Sequence, residues 1–125
     1  MPTPTGRNTA ARGAAREAAG TPLARAETDR LAETFRLLGD GSRLRIALAC
    51  LTRPMASGDL AAALGLSPSL VSHHLRLLRA ARLVRAERRG RRIYYIAADA
   101  HVRDMLLNMV DHTGEDCADD ADGSA

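Results

Sequence analysis

A four-residue junction, Gly65-Leu66-Ser67-Pro68, constrains the fold of this chain more than any other feature. Glycine after an apolar helical stretch ends a helix, because it adopts a left-handed conformation without a Cβ penalty. Serine followed by proline begins a helix, since the hydroxyl accepts from a free N–H and proline fits the first helical position. The junction therefore predicts two helices joined by a tight turn, the second reaching about Ala81.

Similar signals divide the rest of the chain. They predict a first helix from Thr28 to the glycines at 39 and 41, and a second helix capped by Ser42 and broken at Pro54. A third helix, capped by Ser57, leads into the junction. Residues 83–88 and 92–96 alternate as strands around a glycine turn, and a last helix runs from Asp99 to near Gly114.

The order of elements predicts a mainly α fold with a β-hairpin wing, which is a winged helix-turn-helix. With no Trp, one Phe and two Tyr, the core must be aliphatic. We expect residues 26–115 to fold, 1–25 to form a disordered or partly helical arm, and 116–125 to form an acidic tail. On the fourth helix, the residues expected to face the core are Leu70, Val71, Leu75 and Leu78.

Positive charge is concentrated in one block. All 18 basic residues are arginine, and eight of them lie between positions 76 and 92 against a single acid, Glu87. Charge alone leaves two readings open, a phosphate-binding patch or a solvated arginine-rich face.

The helix order favours DNA. In a helix-turn-helix the second helix lies in the major groove, and a wing tip of arginines around Gly90 can reach phosphates. His73 and His74 point about 100° apart on a helix and rarely chelate one ion together, so His73 is expected to contact DNA and His74 to be structural. The expected contacts to double-stranded operator DNA are Ser67, Ser69, Ser72, His73, Arg76, Arg88, Arg89 and Arg91.

Other classes of function find little support. Cys50 lies in an apolar run and reads as a buried small residue, far from Cys117, so no disulfide framework is expected. No apolar run approaches 18 residues and no signal peptide is visible, which predicts a cytoplasmic protein with no membrane role. The chain shows no nucleophile and base pair or phosphate loop, and we expect it not to be an enzyme.

The chain resembles the ArsR–SmtB family of metal-responsive repressors over residues 28–115. The resemblance rests on the segments Gly39-Asp40-Gly41-Ser42-Arg43-Leu44-Arg45-Ile46, Asp59-Leu60-Ala61, Leu66-Ser67-Pro68-Ser69-Leu70-Val71-Ser72-His73-His74-Leu75 and Gly90-Arg91-Arg92-Ile93-Tyr94-Tyr95. It implies a homodimer held by its first and last helices, which binds a palindromic operator when metal-free and leaves it when metal binds.

The last helix carries two pairs of candidate metal ligands, Asp99 with His101 and His112 with Glu115. The histidines are 11 residues apart, so they return to nearly one face but stand about 16 Å apart along the axis. One zinc ion needs ligands about 2 Å away, which a single helix cannot supply. An antiparallel second copy, with the two-fold axis near residues 106–107, would complete two equivalent sites of two imidazoles and two carboxylates.

Simpler roles exist for each ligand taken singly: a helix N-cap for Asp99, a helix C-terminal charge for His112 and an acidic tail for Glu115. The resemblance favours the site, because zinc-sensing members of the family use these spacings in their last helix. It also implies that coupling passes from a histidine matching His112 to backbone near residues 81–82.

The metal preference is less closely constrained than the site. Members with a thiolate site carry cysteine before the Gly-Asp-Leu segment, where this chain has residues 55–57 without one. Zn2+ is therefore the expected regulatory ion, with cobalt or nickel possible. A redox or small-molecule signal through Cys50 or Cys117 is the alternative.

Overall fold

The computed structural model describes residues 23–123, with side chains as far as Gly114. Most of the predicted arm and the side chains of the predicted tail lie outside these residues, so the domain limits stay a prediction. The elements are α1 (Arg25–Leu38), α2 (Gly41–Ala49), β1 (Met55–Ala56), α3 (Ser57–Leu64), α4 (Pro68–Ala80), β2 (Val84–Arg89), β3 (Arg92–Ala97) and α5 (Ala100–Gly123). Residues 34–125 form one compact unit, which carries everything from α2 onwards.

The junction between α3 and α4 is confirmed. Gly65 has a φ of +67°, the left-handed conformation that ends α3. The Ser67 hydroxyl accepts a hydrogen bond from Leu70 N at 3.2 Å, and Pro68 occupies the first turn of α4. Both helices of the helix-turn-helix are thus fixed by local chemistry.

Two predicted helix caps are wrong. The cap of α2 is Asp40, whose carboxylate accepts from Arg43 N at 2.9 Å, and Ser42 lies inside the helix. Asp40 has the extended backbone that a cap residue needs, so its side chain meets the free N–H groups first. Ser57 is the first residue of α3, which begins after Ala56 without a side-chain cap.

The wing belongs to a three-stranded sheet rather than to a hairpin alone. β2 and β3 pair antiparallel around a turn in which Gly90 has a φ of +64°. β1 adds to the other edge of β3, with Met55 opposite Tyr95 and Ala56 opposite Tyr94. The two residues before α3 therefore tie the helix-turn-helix to the wing.

The core is aliphatic, as composition predicted. Three of the four residues expected to face it from α4 are buried, but the expectation was wrong for Leu70, which is 37% exposed. The residues buried in the core cluster are Leu38, Ile46, Ala47, Cys50, Leu51, Leu60, Ala61, Val71, Leu75, Leu78, Leu83, Val84, Ala97 and Leu106.

The last helix is longer than predicted. Asp99 caps it, accepting from Val102 N at 2.9 Å, but α5 continues past Gly114 to Gly123. A single glycine inside a helix costs only about 1 kcal/mol relative to alanine, and no proline follows it to stop the helix. None of the described helices is long and apolar enough to cross a membrane.

Candidate DNA-binding surface and metal site

The outer face of α4 presents the polar residues predicted to contact DNA. Ser69, Ser72, His73 and Arg76 are all exposed, and so is the capping residue Ser67. Their hydroxyl, imidazole and guanidinium groups can donate to or accept from base edges and phosphates. The structure therefore brings the predicted helix contacts onto one accessible surface.

An open groove runs along this surface beside α4. Its volume is about 560 Å³, and it is lined by Ser57, Ser72, Arg76, Arg79 and Tyr95, with Leu75 and Ala80 at its base. The side chains of α4 and the start of α3 thus share one polar concavity. Guanidinium groups there suit an anionic backbone.

The wing arginines fall into two groups. Arg89 donates to Glu87 Oε2 at 3.1 Å, and its guanidinium carbon lies 5.6 Å from the centre of the Tyr94 ring. Arg85 donates to the same carboxylate at 2.6 Å, and the hydrogen bond from Arg85 is the main cause that lowers the pKa of Glu87. The Arg92 guanidinium carbon also lies near the Tyr94 ring, 5.8 Å from its centre. These arginines are anchored to the wing.

Arg88 and Arg91 form the second group. Both are exposed, and neither makes an ion pair or hydrogen bond with any residue that the structure describes. They are the wing charges best placed to gain a phosphate partner, since they lose no existing contact in doing so. Sequence reasoning named Arg88, Arg89 and Arg91 together and did not separate the anchored one.

The predicted metal ligands lie at the two ends of the described part of α5. His101 in the first turn and His112 in the fourth are both exposed. The Asp99 carboxylate uses one oxygen as the helix cap, which leaves its other oxygen for a second interaction. Glu115 lies within α5, but its side chain lies outside the described residues.

One chain does not bring these ligands together. Among the side chains that the structure describes, no group of three His, Cys, Asp or Glu residues could hold an ion. His101 and His112 share a continuous helix, so their separation along the axis is about 16 Å. Any site that uses both must take the remaining ligands from elsewhere.

Apolar side chains are exposed on the same helix. Met109 is 54% exposed and Val110 46% exposed, and Phe35 in α1 is 55% exposed. Met109 and Val110 border a groove of about 370 Å³ that is lined almost entirely by carbon, together with Leu44, Leu48, Leu106 and Thr113. This exposed apolar surface is a candidate interaction face.

Comparison with known proteins identifies the family and the fold. The family of bacterial regulatory proteins named for arsR matches residues 40–86. A transcriptional repressor SmtB homologue from Synechocystis sp. is 44% identical over 89 residues, which cover 71% of this chain and 67% of that protein. The chain belongs to the ArsR family. It is thus a DNA-binding regulatory protein and not an enzyme.

Solved structures agree with this assignment. The homodimeric winged helix-turn-helix DNA-binding domain of Mb0332 from Mycobacterium bovis matches with a TM-score of 0.70 at 26% identity, covering 78% of this chain and 93% of that one. The cadmium metal-sensor CMTR from Mycobacterium tuberculosis matches with a TM-score of 0.56 at 43% identity, covering 63% and 82%. The winged helix-turn-helix prediction is confirmed.

A second polar groove of this ArsR-family chain connects the two functional regions. Asp99 lines it together with Arg79, Arg82 and Arg85, and its volume is about 430 Å³. Arg79 is in the last turn of α4, and Arg82 follows that helix with a φ of +60°. A candidate metal ligand therefore lies beside the end of α4, the candidate DNA-recognition helix.

The two remaining candidate groups, His74 and Cys50, are buried. His74 is 5% exposed, which confirms the structural role predicted for it; its partner Arg43 was not predicted. Cys50 is fully buried, and burial raises the pKa of its thiol to about 12. A protonated, inaccessible thiol is a poor redox sensor, which counts against a signal through Cys50.

Proposed function

We propose that this ArsR-family chain is a zinc-responsive transcriptional repressor. The metal-free homodimer binds a palindromic operator, and its affinity for that operator falls when zinc occupies two equivalent sites between the subunits. Each site takes Asp99 and His101 from one chain and His112 and Glu115 from the other. A cytoplasmic location follows from this role, because the operator is part of the bacterial chromosome.

One observation carries the proposal. α5 has two exposed histidines 11 residues apart on nearly one face, and it also exposes the apolar residues Met109 and Val110. A two-fold axis crossing α5 near residues 106–107 would run two copies of the helix antiparallel. The first turn of each helix would then face the fourth turn of the other.

The donor set fits the proposed ion. Two imidazoles and two carboxylates form a four-coordinate set of nitrogen and oxygen ligands that zinc accepts, and that a soft ion such as cadmium accepts less readily. When bound, zinc would supply a positive charge that holds the two helices together. The second carboxylate oxygen of Asp99 is the atom of its side chain that remains for this role.

A route from the site to the DNA surface is also available. Asp99 shares a groove with Arg79 and Arg82 at the end of α4. A change in what Asp99 binds alters the charge that those arginines face, and so favours one position of the recognition helix over another. Zinc changes operator affinity only to the extent that it binds the two positions with different affinity.

Zinc titration of purified dimer tests the proposal. We expect two ions per dimer, and release of a duplex carrying the region upstream of the chain's own gene. H101A and H112A should keep operator binding and lose zinc-induced release. D104N is the matched control, because Asp104 is an exposed carboxylate of the same helix outside the ligand set.

Mixing the two histidine variants provides a sharper test. A heterodimer of H101A with H112A has both lesions in one site and none in the other, so it regains one intact site. Recovery of one ion per heterodimer supports ligands shared between chains. If both single variants still release DNA normally, the ligand assignment is wrong.

Cobalt, nickel and cadmium are included as competing ions. Cadmium belongs there because a structure 43% identical to this chain is a cadmium metal-sensor. Release by cadmium at lower concentration than zinc would favour a sulfur-containing site. In that case C117A would remove the response and H101A would not.

A further inference from the structure

His74 is the one buried polar residue among the described side chains, and it lies on the helix that reads DNA. Its neighbours on the inner face of α4 are the core residues Val71, Leu75 and Leu78. A polar group in such a place needs a partner, because leaving it unpaired costs the desolvation of that group.

Arg43 supplies the partner and connects three elements. Its Nε donates to His74 Nδ1 at 3.3 Å, and its Nη1 donates to the carbonyl of Leu37 at 3.0 Å, in the last turn of α1. Its backbone N–H donates to the Asp40 carboxylate that caps α2. Thus one guanidinium ties the end of α1 to the middle of α4.

This geometry requires a neutral imidazole. Because Nδ1 accepts from Arg43, the single proton lies on Nε2, which faces Asp40 Oδ1 at 3.8 Å. A second proton on Nδ1 would remove the acceptor and place two cations side by side. Burial is the main cause that lowers the pKa of His74, and the Arg43 charge lowers it further, against an opposing effect of Asp40.

We propose that Arg43 and His74 are positioning residues for DNA recognition, which hold α4 in its binding orientation only while His74 is neutral. Acidification then weakens operator binding without any metal. The inference rests on the DNA-binding part of the proposed function and is independent of the zinc site.

The charged groups that face His74 are Asp40, Arg43 and the neighbouring His73, whose ring centroid is 5.7 Å away. His73 is exposed on the candidate DNA surface, whereas His74 is buried against Arg43. Loss of affinity on acidification is the signature of His74.

The experiment compares two arginines of the same helix. Arg45 donates to the Leu64 carbonyl at 3.1 Å, so it also contacts the end of a neighbouring helix, but that helix is α3 and not α4. With metal removed by chelator and the upstream duplex as probe, we expect R43A to weaken operator binding about tenfold or more. R45A should change it by less than about threefold, and R43K, which can make only one of the two side-chain contacts, should be intermediate.

The pH profile separates positioning from general stability. H74Q keeps an acceptor for Arg43 and does not titrate. Between about pH 7 and 5, a range that extends further below the ordinary histidine pKa because that of His74 is lowered, the wild type should lose at least threefold more operator affinity than H74Q. Circular dichroism at both pH values confirms that each protein remains folded.

Three outcomes overturn the inference. They are equal losses in R43A and R45A, a wild-type pH profile in H74Q, and wild-type binding that strengthens on acidification. The first two leave operator binding by the wild type, and with it the proposed function, intact. A wild type that binds the upstream duplex no better than unrelated DNA overturns the proposed function as well.

Discussion

The two long functional helices treat their apolar residues in opposite ways. α4 buries Val71 and Leu78 completely within its own chain, and its outer face is polar. α5 buries Leu106 but leaves Met109 and Val110 about half exposed. The apolar face of α4 is covered by its own chain, whereas part of the apolar surface of α5 stays exposed.

The difference teaches where each function is built. The DNA-reading surface needs only local caps and one core, so a single chain is enough to form it. The candidate metal site needs both ends of α5, which lie about 16 Å apart on one helix. The proposed metal sensing therefore requires dimerisation, whereas the proposed DNA-binding surface can form within one chain.

The largest predicted effect is on dimerisation and operator affinity, and comes from charge placed on the exposed apolar face of α5. M109E combined with V110E should give a monomer, because burying unpaired carboxylates in an apolar interface is costly. Operator affinity should fall by at least about 100-fold, since two linked half-sites gain 10² to 10⁴ over one. Sedimentation and gel shift measure both quantities.

D111R, which also changes the charge by two, is the matched control for that variant. Asp111 is exposed on α5, does not line the apolar groove and lies about 100° around the helix from His112. A dimeric M109E/V110E protein would show that this face of α5 is not the interface.

Truncating an apolar side chain should lower stability in different ways in the two helices: independently of protein concentration in α4, and in a concentration-dependent way in α5. L78A removes a fully buried side chain and should cost about 3 kcal/mol in the free energy of unfolding, regardless of protein concentration. M109A should lower stability only through dimerisation, so its effect should vary with concentration. Chemical denaturation at two concentrations checks both; a concentration-independent cost for M109A would contradict the comparison.

On the DNA-binding surface, substitutions of the wing arginines should differ in their effect on DNA affinity. R91A should weaken DNA binding several-fold and reduce the salt slope by about 0.9, because each phosphate contact releases counterions. R89A should change less, since Arg89 is already held by Glu87 and Tyr94. The measurement is DNA affinity over a series of salt concentrations. Equal salt slopes for R91A and R89A would show that the two arginines do not differ in phosphate binding.

The smallest predicted effects are on the free energy of unfolding, and come from glycines in α3 and in the turn that follows it. G65A should destabilise the fold by about 1 kcal/mol, because an alanine is strained at a φ of +67°. G58A should instead stabilise it by about 0.5 kcal/mol, since Gly58 is helical and an added Cβ meets no atom within 4 Å. Thermal unfolding measures both; a loss of stability in both variants would show that backbone conformation is not the cause.

Local signals were read from the sequence with success. Gly65, Ser67 and Pro68 placed the turn and the start of α4, because each acts on the backbone within a few residues. The cap of α2 was misplaced by two positions. Asp40 and Ser42 are both good caps, and only the geometry of the chain decides between them.

Non-local features were missed for the same reason. β1 has two residues and no periodicity, and it exists because β3, almost 40 positions later, offers an open edge. The contact between Arg43 and His74 joins residues 31 apart. For the proposed metal ligands the sequence supplied the residue types and the spacing, but the second half of each proposed site would come from another chain, which one sequence cannot position.

The pairing of β1 with β3 has a mechanical consequence. The helix-turn-helix is attached to the wing at both of its ends, through β1 before α3 and through residues 81–83 between α4 and β2. A displacement of the wing against DNA would therefore pull on the start of α3 as well as on the end of α4.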